Sequence, residues 1–289
     1  MESNDSKNVG APVALVTGAS SGLGRIMAET LAQKGYRVFG TSRQPKAIAA
    51  PSTITMIAMD VDKDASVENG VNDVIEQAGR LDLVVCNAGF GVFGAIEDTP
   101  TADMIAQFQT NVFGVHRVCR ATLPYLRQRK ISRLIVVGSI AGIVGLPYQG
   151  MYSASKFALE GYCEVLRLEL RGSPVRVVLI QPGDFATGFT ASRLLAGEAS
   201  ASRWHRDSLA RTMAVVKDDE ENGGDLSLLS EAIIRLAADP NPALRNIVAM
   251  SEQEELALAK ASYPPDEWEA MIAKHFGLDA EVTLDAALV

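Results

Sequence analysis

The sequence predicts an α/β fold: a doubly wound parallel sheet of about seven strands with helices on both faces, in a single domain. Three observations predict it. Short Val- and Ile-rich runs recur along most of the chain, with helix-period segments between them. The runs lack the apolar/polar alternation of a sheet with one wet face, so they read as parallel strands buried on both sides. A chain of 289 residues with 47% hydrophobic content is large enough to fill a core, which excludes wholesale disorder.

In chain order, Val13–Val16 is the first strand, and Leu23–Lys34 the first helix, stopped by Gly35. Arg37–Thr41 and Thr53–Ala58 are the next strands. Asp64 can cap a helix running to about Ala78, closed by Gly79. Leu81–Cys86 is a strand, and Thr99-Pro100 reads as a cap with proline at the first helical position, opening a helix through the 100s. The strand Leu134–Val137 and a helix from about Met151 to Leu170 follow. Arg176–Ile180 and Asn246–Ala249 complete the strands. Right-handed crossovers between such elements give the doubly wound sheet.

Two regions escape the alternation. Residues 190–222 mix Leu194, Leu195, Trp204, Leu209 and Met213 with small and charged residues and end in the acidic run Asp218–Glu221, read as a solvated loop face. The stretch beyond Ser251 looks helical through Leu258, breaks at Pro264-Pro265 and resumes to about Phe276. The expected organisation is a flexible segment over 1–10, one domain over 11–250 with 190–222 as a lid over it, and a helical extension of the same domain over 251–289.

Composition narrows the function. Asp and Glu outnumber Lys and Arg by 35 to 27, a formal charge of −8, which argues against a nucleic-acid partner. No apolar run approaches the roughly 18–20 residues that span a bilayer. Met1–Gly10 lacks the basic start and apolar middle of a secretion signal. Cys86, Cys119 and Cys163 are far apart in apolar sequence, and His116, His205 and His275 form no metal-binding spacing, so neither a disulfide framework nor a bound metal is expected. The expectation is a cytoplasmic protein.

Between the first strand and first helix lies Thr17-Gly18-Ala19-Ser20-Ser21-Gly22-Leu23-Gly24. Three glycines let the backbone turn sharply and approach a ligand, and the following helix offers unpaired N–H groups and the positive end of its dipole. In the first strand–helix unit of such a sheet, this context points to a dinucleotide. The second strand ends in Ser42-Arg43 where a carboxylate would hold the ribose 2′-hydroxyl of NAD. Arg43 can pair with a 2′-phosphate, which favours NADP(H) over NAD(H); the alternative is an ordinary surface arginine.

Tyr152 and Lys156 are four apart on a predicted helix and so share a face. A free phenol, with a pKa of about 10, is a poor base near neutrality. An ammonium about 4 Å away favours the phenolate by about 4 kcal/mol at an effective dielectric of 20, close to three pKa units. That brings Tyr152 into range for acid or base duty. Ser139 follows the strand Leu134–Val137 at the carboxyl edge of the sheet, where its hydroxyl can hold a substrate oxygen or simply close a turn.

These motifs, in this order, resemble the short-chain dehydrogenase/reductase family in its single-domain catalytic subtype. The resemblance covers about Pro12 to Thr190 and returns near Ile247. It implies a Rossmann-type fold and assigns roles. Gly18, Ser20, Ser21, Gly22, Leu23 and Gly24 form the phosphate turn. Ser42 and Arg43 select NADP, and Asp60-Val61 contacts adenine. Asn87-Ala88-Gly89 lines the cofactor cleft. Asn111 holds a water in a proton relay to Lys156, Ser139 positions the substrate oxygen, Tyr152 transfers the proton, and Lys156 binds the nicotinamide ribose. Pro182, Gly183, Phe185 and Thr187 complete the nicotinamide side. Two departures stand out: Ser21 occupies a position where NADP-preferring members often carry a base, and Gln181 one that is commonly Asn.

Within the family, the stretches Asn87–Gly94 and Gln181–Thr187 look most like the 17β-hydroxysteroid and retinol dehydrogenase-like branch. Phe90, Val92, Phe93, Ile143, Leu146, Tyr148 and Phe189 can build an apolar pocket or serve as plain core, and Phe93, Tyr148 and Phe189 are the candidate substrate contacts. The resulting expectation is a reductase for a bulky apolar ketone, steroid- or retinoid-like, running toward the alcohol as a homodimer or homotetramer. Phe108, Val112 and Val115 can serve that self-association or the core. The alternatives are an NADP(H)-binding regulatory or scaffold protein without turnover, and a sugar-nucleotide epimerase or dehydratase, whose glycine spacing and larger C-terminal domain are not seen.

Overall fold

The computed structural model describes residues 10–45, 51, 53–187, 193–197, 202 and 204–279. Seven parallel strands form one sheet in the order β3-β2-β1-β4-β6-β7-β9. They are β1 (Val13–Val16), β2 (Arg37–Ser42), β3 (Ile54–Ala58), β4 (Leu83–Cys86), β6 (Ser132–Val137), β7 (Val175–Pro182) and β9 (Arg245–Val248). Between β4 and β6, β5 (Val92–Phe93) pairs in parallel with β8 (Leu194–Leu195), a small second sheet that periodicity did not announce because two residues carry no pattern. The helices are α1 (Gly22–Gln33), α2 (Asp64–Ala78), α3 (Thr101–Phe108), α4 (Gly114–Leu126), α5 (Gly150–Glu169), α6 (Arg206–Glu221), α7 (Leu226–Ala238), α8 (Ser251–Ala259) and α9 (Pro265–His275).

The absence of alternation in the strands has a direct structural cause. Val13 and Leu15 of β1 face one core with Val71, Val118, Leu159 and Cys163 from α2, α4 and α5. Ala14 and Val16 face the other, with Met27 and Leu31 of α1 and Leu229 and Ile233 of α7. Both faces are apolar, so all four positions of β1 are buried and apolar. On the second face the two helices are also joined by a Thr30–Ser230 hydroxyl hydrogen bond of 3.1 Å. Two of the free cysteines, Cys119 and Cys163, are core packing on the first face, where Cys86 joins them.

Several local expectations shift. Asp64 is the first helical residue of α2 and Lys63 sits at the cap; the Asp64 carboxylate accepts from Arg117 Nε at 3.1 Å instead. Pro100 is itself the cap of α3, and the Thr99 hydroxyl turns back to donate to Ala95 O at 2.7 Å. The helix of the 100s is interrupted by a π-helical turn over Gln109–Phe113 before continuing as α4. The acidic run Asp218–Glu221 is the last turn of α6, not a loop: Glu220 points inward while Asp218, Asp219 and Glu221 stay toward solvent. A third apolar cluster explains why α6 forms. Leu209 and Val216 pack with Val92, Phe93 and Val144 and with Ile272 and Phe276 from the α9 region, on the side where the strands end. Among the described residues no helix is long and apolar enough to cross a membrane.

Candidate active site

The chain reverses direction across the sheet between β1 and β4, and the crevice at their carboxyl ends is where such sheets bind ligands. Thr17 ties its two sides together. Its Oγ1 accepts from the N–H groups of Asn87 at 2.9 Å and Ala88 at 3.0 Å, and the Asn87 amide donates to Thr17 O at 3.0 Å. Gly18 and Gly22 hold φ values of +66° and +54°, which L side chains rarely adopt. A Cβ at Gly24 would lie 2.3 Å from Asn87 Nδ2 and 2.4 Å from Gly18 O. Ser21 is extended and exposed at the cap of α1 with no side-chain hydrogen bond, so nothing from its side chain covers the first N–H groups of the helix. Open donors, a positive dipole end and a Cβ-free approach fit a pyrophosphate. Ser20 is part-buried beside them, and Leu23 leans into the α1-side core.

The residues expected at the adenosine end separate into exposed and packed. Arg43 is exposed just past β2, and the Ser42 hydroxyl accepts from Gln44 N–H at 3.2 Å. The Asp60 carboxylate accepts from Asp62 N–H at 3.2 Å and pairs with Lys63 at 3.2 Å. The Val61 side chain lies in the core against Gly114, and its carbonyl accepts from Arg117 Nη1 at 3.1 Å. Gly89 abuts Asn111, whose Oδ1 a Cβ there would approach to 3.0 Å.

At the other end the structure gathers Ser139, Tyr152 and Lys156. Ser139 follows β6 by way of Gly138, and its Oγ accepts from Ala141 N–H at 3.0 Å, so the turn-closing role and the site role coexist in one hydroxyl. It also hydrogen-bonds the Tyr152 phenol on the first turn of α5. Lys156, one turn on, donates to Val137 O at 2.8 Å and lies 5.5 Å from the Tyr152 ring centroid. The net direction for the tyrosine is opposite to the expected lowering. Burial pushes the Tyr152 phenol above its usual value; Ser139 and the Arg193 guanidinium oppose the rise, and the Asp184 carboxylate adds to it. Lys156 itself is pushed down to about 8 by burial. It stands at the ring of Tyr152, and desolvation has weakened its hold on its own proton.

Asn111 sits in the π-helical turn, 1% exposed. Its Oδ1 accepts from Phe90 N–H at 3.1 Å, and its Nδ2 donates to Phe90 O at 3.0 Å and to Ser155 Oγ at 3.1 Å. The side chain thus pins the loop after β4 to α5 beside Lys156. Pro182 and Gly183 end β7, with Gly183 N–H donating to Val248 O at 3.0 Å. Phe185 is buried in the α1-side core and bridges to Gly224, so its ring is packing. Thr187 comes back to the phosphate turn, with its Cβ 3.9 Å from where a Gly22 Cβ would stand.

Of the expected substrate contacts, Phe93 is buried under Arg193, whose Cζ lies 4.8 Å from the ring centroid. Tyr148 has φ +56°, and its hydroxyl hydrogen-bonds Ser208 at 2.6 Å and His205 Nδ1 at 3.3 Å, linking the loop before α5 to α6. Phe189 lies outside the described residues. Phe90, Ile143 and Leu146 pack at the edge of the third cluster. Sequence reasoning missed Arg193, Glu220 and Asp184, which meet here: Arg193 and Glu220 form a buried ion pair, and Asp184 is held by Gln253 Nε2 at 2.5 Å. Only Asp184, next to Pro182-Gly183, carried a positional signal.

A family model described as short chain dehydrogenase matches residues 12–196. The chain is 40% identical over 252 residues to the 3-ketodihydrosphingosine reductase of Bacteroides thetaiotaomicron, covering 87% of this chain and 93% of that protein. It is 33% identical over 254 residues to 17-beta-hydroxysteroid dehydrogenase type 1 of Homo sapiens, covering 81% of this chain and 76% of that protein. A solved short-chain dehydrogenase from Streptomyces avermitilis matches with a TM-score of 0.79 at 27% identity, over 94% of this chain and 100% of that one. The matched span runs unbroken from β1 through the Tyr152–Lys156 helix to the strand bearing Leu194, and the chain belongs to the short-chain dehydrogenase/reductase family, oxidoreductases built on a nicotinamide-binding fold.

Proposed function

We propose that this protein is an NADP(H)-dependent oxidoreductase acting between a carbonyl and a secondary alcohol on a bulky apolar substrate. The observation that carries the reading is the meeting of Ser139, Tyr152 and Lys156 at one end of a crevice whose other end is an uncapped helix N-terminus behind a glycine turn. The nicotinamide group supplies or accepts the hydride. Ser139 and Tyr152 hold the substrate oxygen by hydrogen bonds, and in reduction the Tyr152 O–H bond breaks as the new O–H bond forms on that oxygen. Lys156, buried within a turn of the phenol, would hold the ribose hydroxyls of the bound dinucleotide. Asn111 positions the neighbouring backbone and serves the route by which Tyr152 is reprotonated. Thr187, close to the phosphate turn, would meet the carboxamide of the bound cofactor.

Exposed Arg43 supports NADP(H) over NAD(H), because its guanidinium can pair with a 2′-phosphate. The apolar third cluster supports a large apolar substrate, and the 3-ketodihydrosphingosine reductase likeness makes a long-chain keto base the first compound to try. Self-association is supported by apolar side chains left exposed on α3 to α5, among them Ile105, Phe113, Val165 and Leu168. The test is NADPH and NADH oxidation against 3-ketodihydrosphingosine, steroids, retinals, quinones and aliphatic ketones, with wild type and Tyr152→Phe. We expect turnover with NADPH, none measurable in Tyr152→Phe, and NADPH binding intact in that variant. Near-normal turnover without the phenol removes the proposed role, and a strong NADH preference removes the reading of Arg43.

A further inference from the structure

Helix α8 reaches both loops that carry the site. Of its nine residues only Ala257 is buried, so apolar packing does little to fix it. Gln253, Ala257 and Lys260 are spaced i, i+4 and i+7 and share a face, with Lys260 opening the 3-10 turn that continues the helix. Gln253 Oε1 accepts from Asp184 N–H at 3.1 Å while its Nε2 donates to the Asp184 carboxylate at 2.5 Å, a two-point grip on the loop after Pro182-Gly183. A Cβ at Gly183 would run into Gln253 Oε1 and the Ala249 methyl, so glycine there lets the helix close in. Lys260 Nζ donates to Ile143 O at 2.6 Å and lies 5.2 Å from the centroid of the Phe157 ring, next to Lys156 on α5. Ile143 ends the single 3-10 turn Ile140–Gly142, whose other end is capped by Ser139. One short turn is thus capped by the Ser139 hydroxyl at its start and by the Lys260 ammonium at its finish.

We propose that Gln253 and Lys260 are positioning residues for the two halves of the reaction centre: Lys260 fixes the turn that aims Ser139 at the substrate oxygen, and Gln253 fixes the loop from Pro182 to Thr187 on the nicotinamide side. The inference rests on the reading of Ser139 and Tyr152 given above, and adds to it a segment beyond β9 that serves the chemistry without touching substrate or cofactor. The turn after β6 has little of its own to hold it. Its backbone bonds are Gly142 N–H to Ser139 O at 2.9 Å and Ile143 N–H to Ile140 O at 2.8 Å, joined by Val144 N–H to Ile140 O at 2.9 Å. A charge-assisted bond at its last carbonyl is therefore a large share of what sets its place. Because Ser139 Oγ is the other cap, a shift of the turn moves the hydroxyl that also bonds Tyr152. On the second loop, Gly224 N–H donates to Asp184 O at 2.8 Å, so Asp184 is anchored from two sides and passes that anchorage to Thr187, three residues on. The two grips act on different loops and can be released one at a time.

Amide hydrogen exchange on the full-length protein reads the two loops directly. Lys260→Met should speed exchange over 141–144 by about tenfold and leave 184–187 unchanged, and Gln253→Ala should do the reverse, because Asp184 N–H loses its acceptor. NADPH fluorescence titration and kinetics with 3-ketodihydrosphingosine read the consequence. Lys260→Met should keep NADPH affinity within about twofold and lower kcat/KM for the ketone about tenfold. Gln253→Ala should weaken NADPH binding about fivefold and leave kcat at saturating NADPH within about twofold of wild type. Lys260→Arg, which can still donate to Ile143 O and lie over Phe157, should stay near wild type in every readout. A helix that merely stabilised the fold would loosen both loops together in either variant. Exchange unchanged in both loops, or quickened in both by either substitution, overturns the proposal, as does an equal loss of NADPH affinity in the two variants; these arms need no substrate. Turnover retained by Tyr152→Phe removes the underlying reading instead, whatever the exchange shows.

Discussion

Lys156 shows how spacing fixes a residue's position and leaves its burial unread. Its spacing from Tyr152 places both on one face, and the structure keeps them within a turn. The sequence could not report that the ammonium is buried and donates to Val137 O. That burial has a measurable signature. The folded pKa is about 8 against an ordinary 10.5, so between those values the unfolded chain holds the proton and the folded chain does not. Stability therefore rises with pH through that window, and below it the full cost, about 3 kcal/mol, is present. Lys156→Met should be the more stable protein at pH 7, by that amount less about 1 kcal/mol for the hydrogen bond lost at Val137. The advantage should shrink toward pH 10.5. Urea unfolding of both proteins at the two pH values checks it, and a gap that does not change with pH would show that the ammonium is not desolvated.

At the scale of elements, the strands and the glycine turn were legible because their signals are dense: strands buried on both faces carry apolar runs without alternation, and the turn needs glycine where the backbone makes a left-handed bend. The glycines of this chain are not equivalent. At Gly24 a methyl would meet Gly18 O at 2.4 Å, a backbone atom that cannot move without opening the turn. Gly24→Ala should destabilise by about 2 kcal/mol and weaken NADPH binding, read by urea unfolding and by fluorescence titration. Gly161, exposed in α5 with nothing within 4 Å of its Cβ position, should behave oppositely: Gly161→Ala should stabilise by about 0.5–1 kcal/mol. The π-helical turn at Gln109–Phe113 was not legible. It has no composition of its own, and it exists because Asn111 is turned inward to satisfy both backbone groups of Phe90. Helix α6 was misread for a related reason. Its charged residues hide a narrow apolar stripe, Leu209 and Val216, that has meaning only once β5 and α9 are placed against it.

The whole molecule divides its work among three apolar clusters. Two lie on the faces of the sheet and hold the strands whose ends make the cofactor crevice. The third lies beyond the strand ends and joins β5, α6 and the α9 region, so the wall carrying Phe93 and Arg193 is braced by residues at the far end of the chain. Ile272 and Phe276 are buried there. Around them, Arg211 Nε donates to Gly277 O at 3.0 Å and His275 pairs with Asp219 at 2.9 Å. If cofactor and substrate are held by separate clusters, weakening the third should separate the two functions. Phe276→Ala should lower stability by about 3 kcal/mol, raise KM for an apolar ketone and leave NADPH affinity within about twofold of wild type. Substrate kinetics and cofactor fluorescence on the same preparation decide it. Parallel losses of cofactor and substrate affinity would mean that the sheet and the substrate wall respond as one unit, and that the C-terminal helices support the nucleotide site as much as the substrate side.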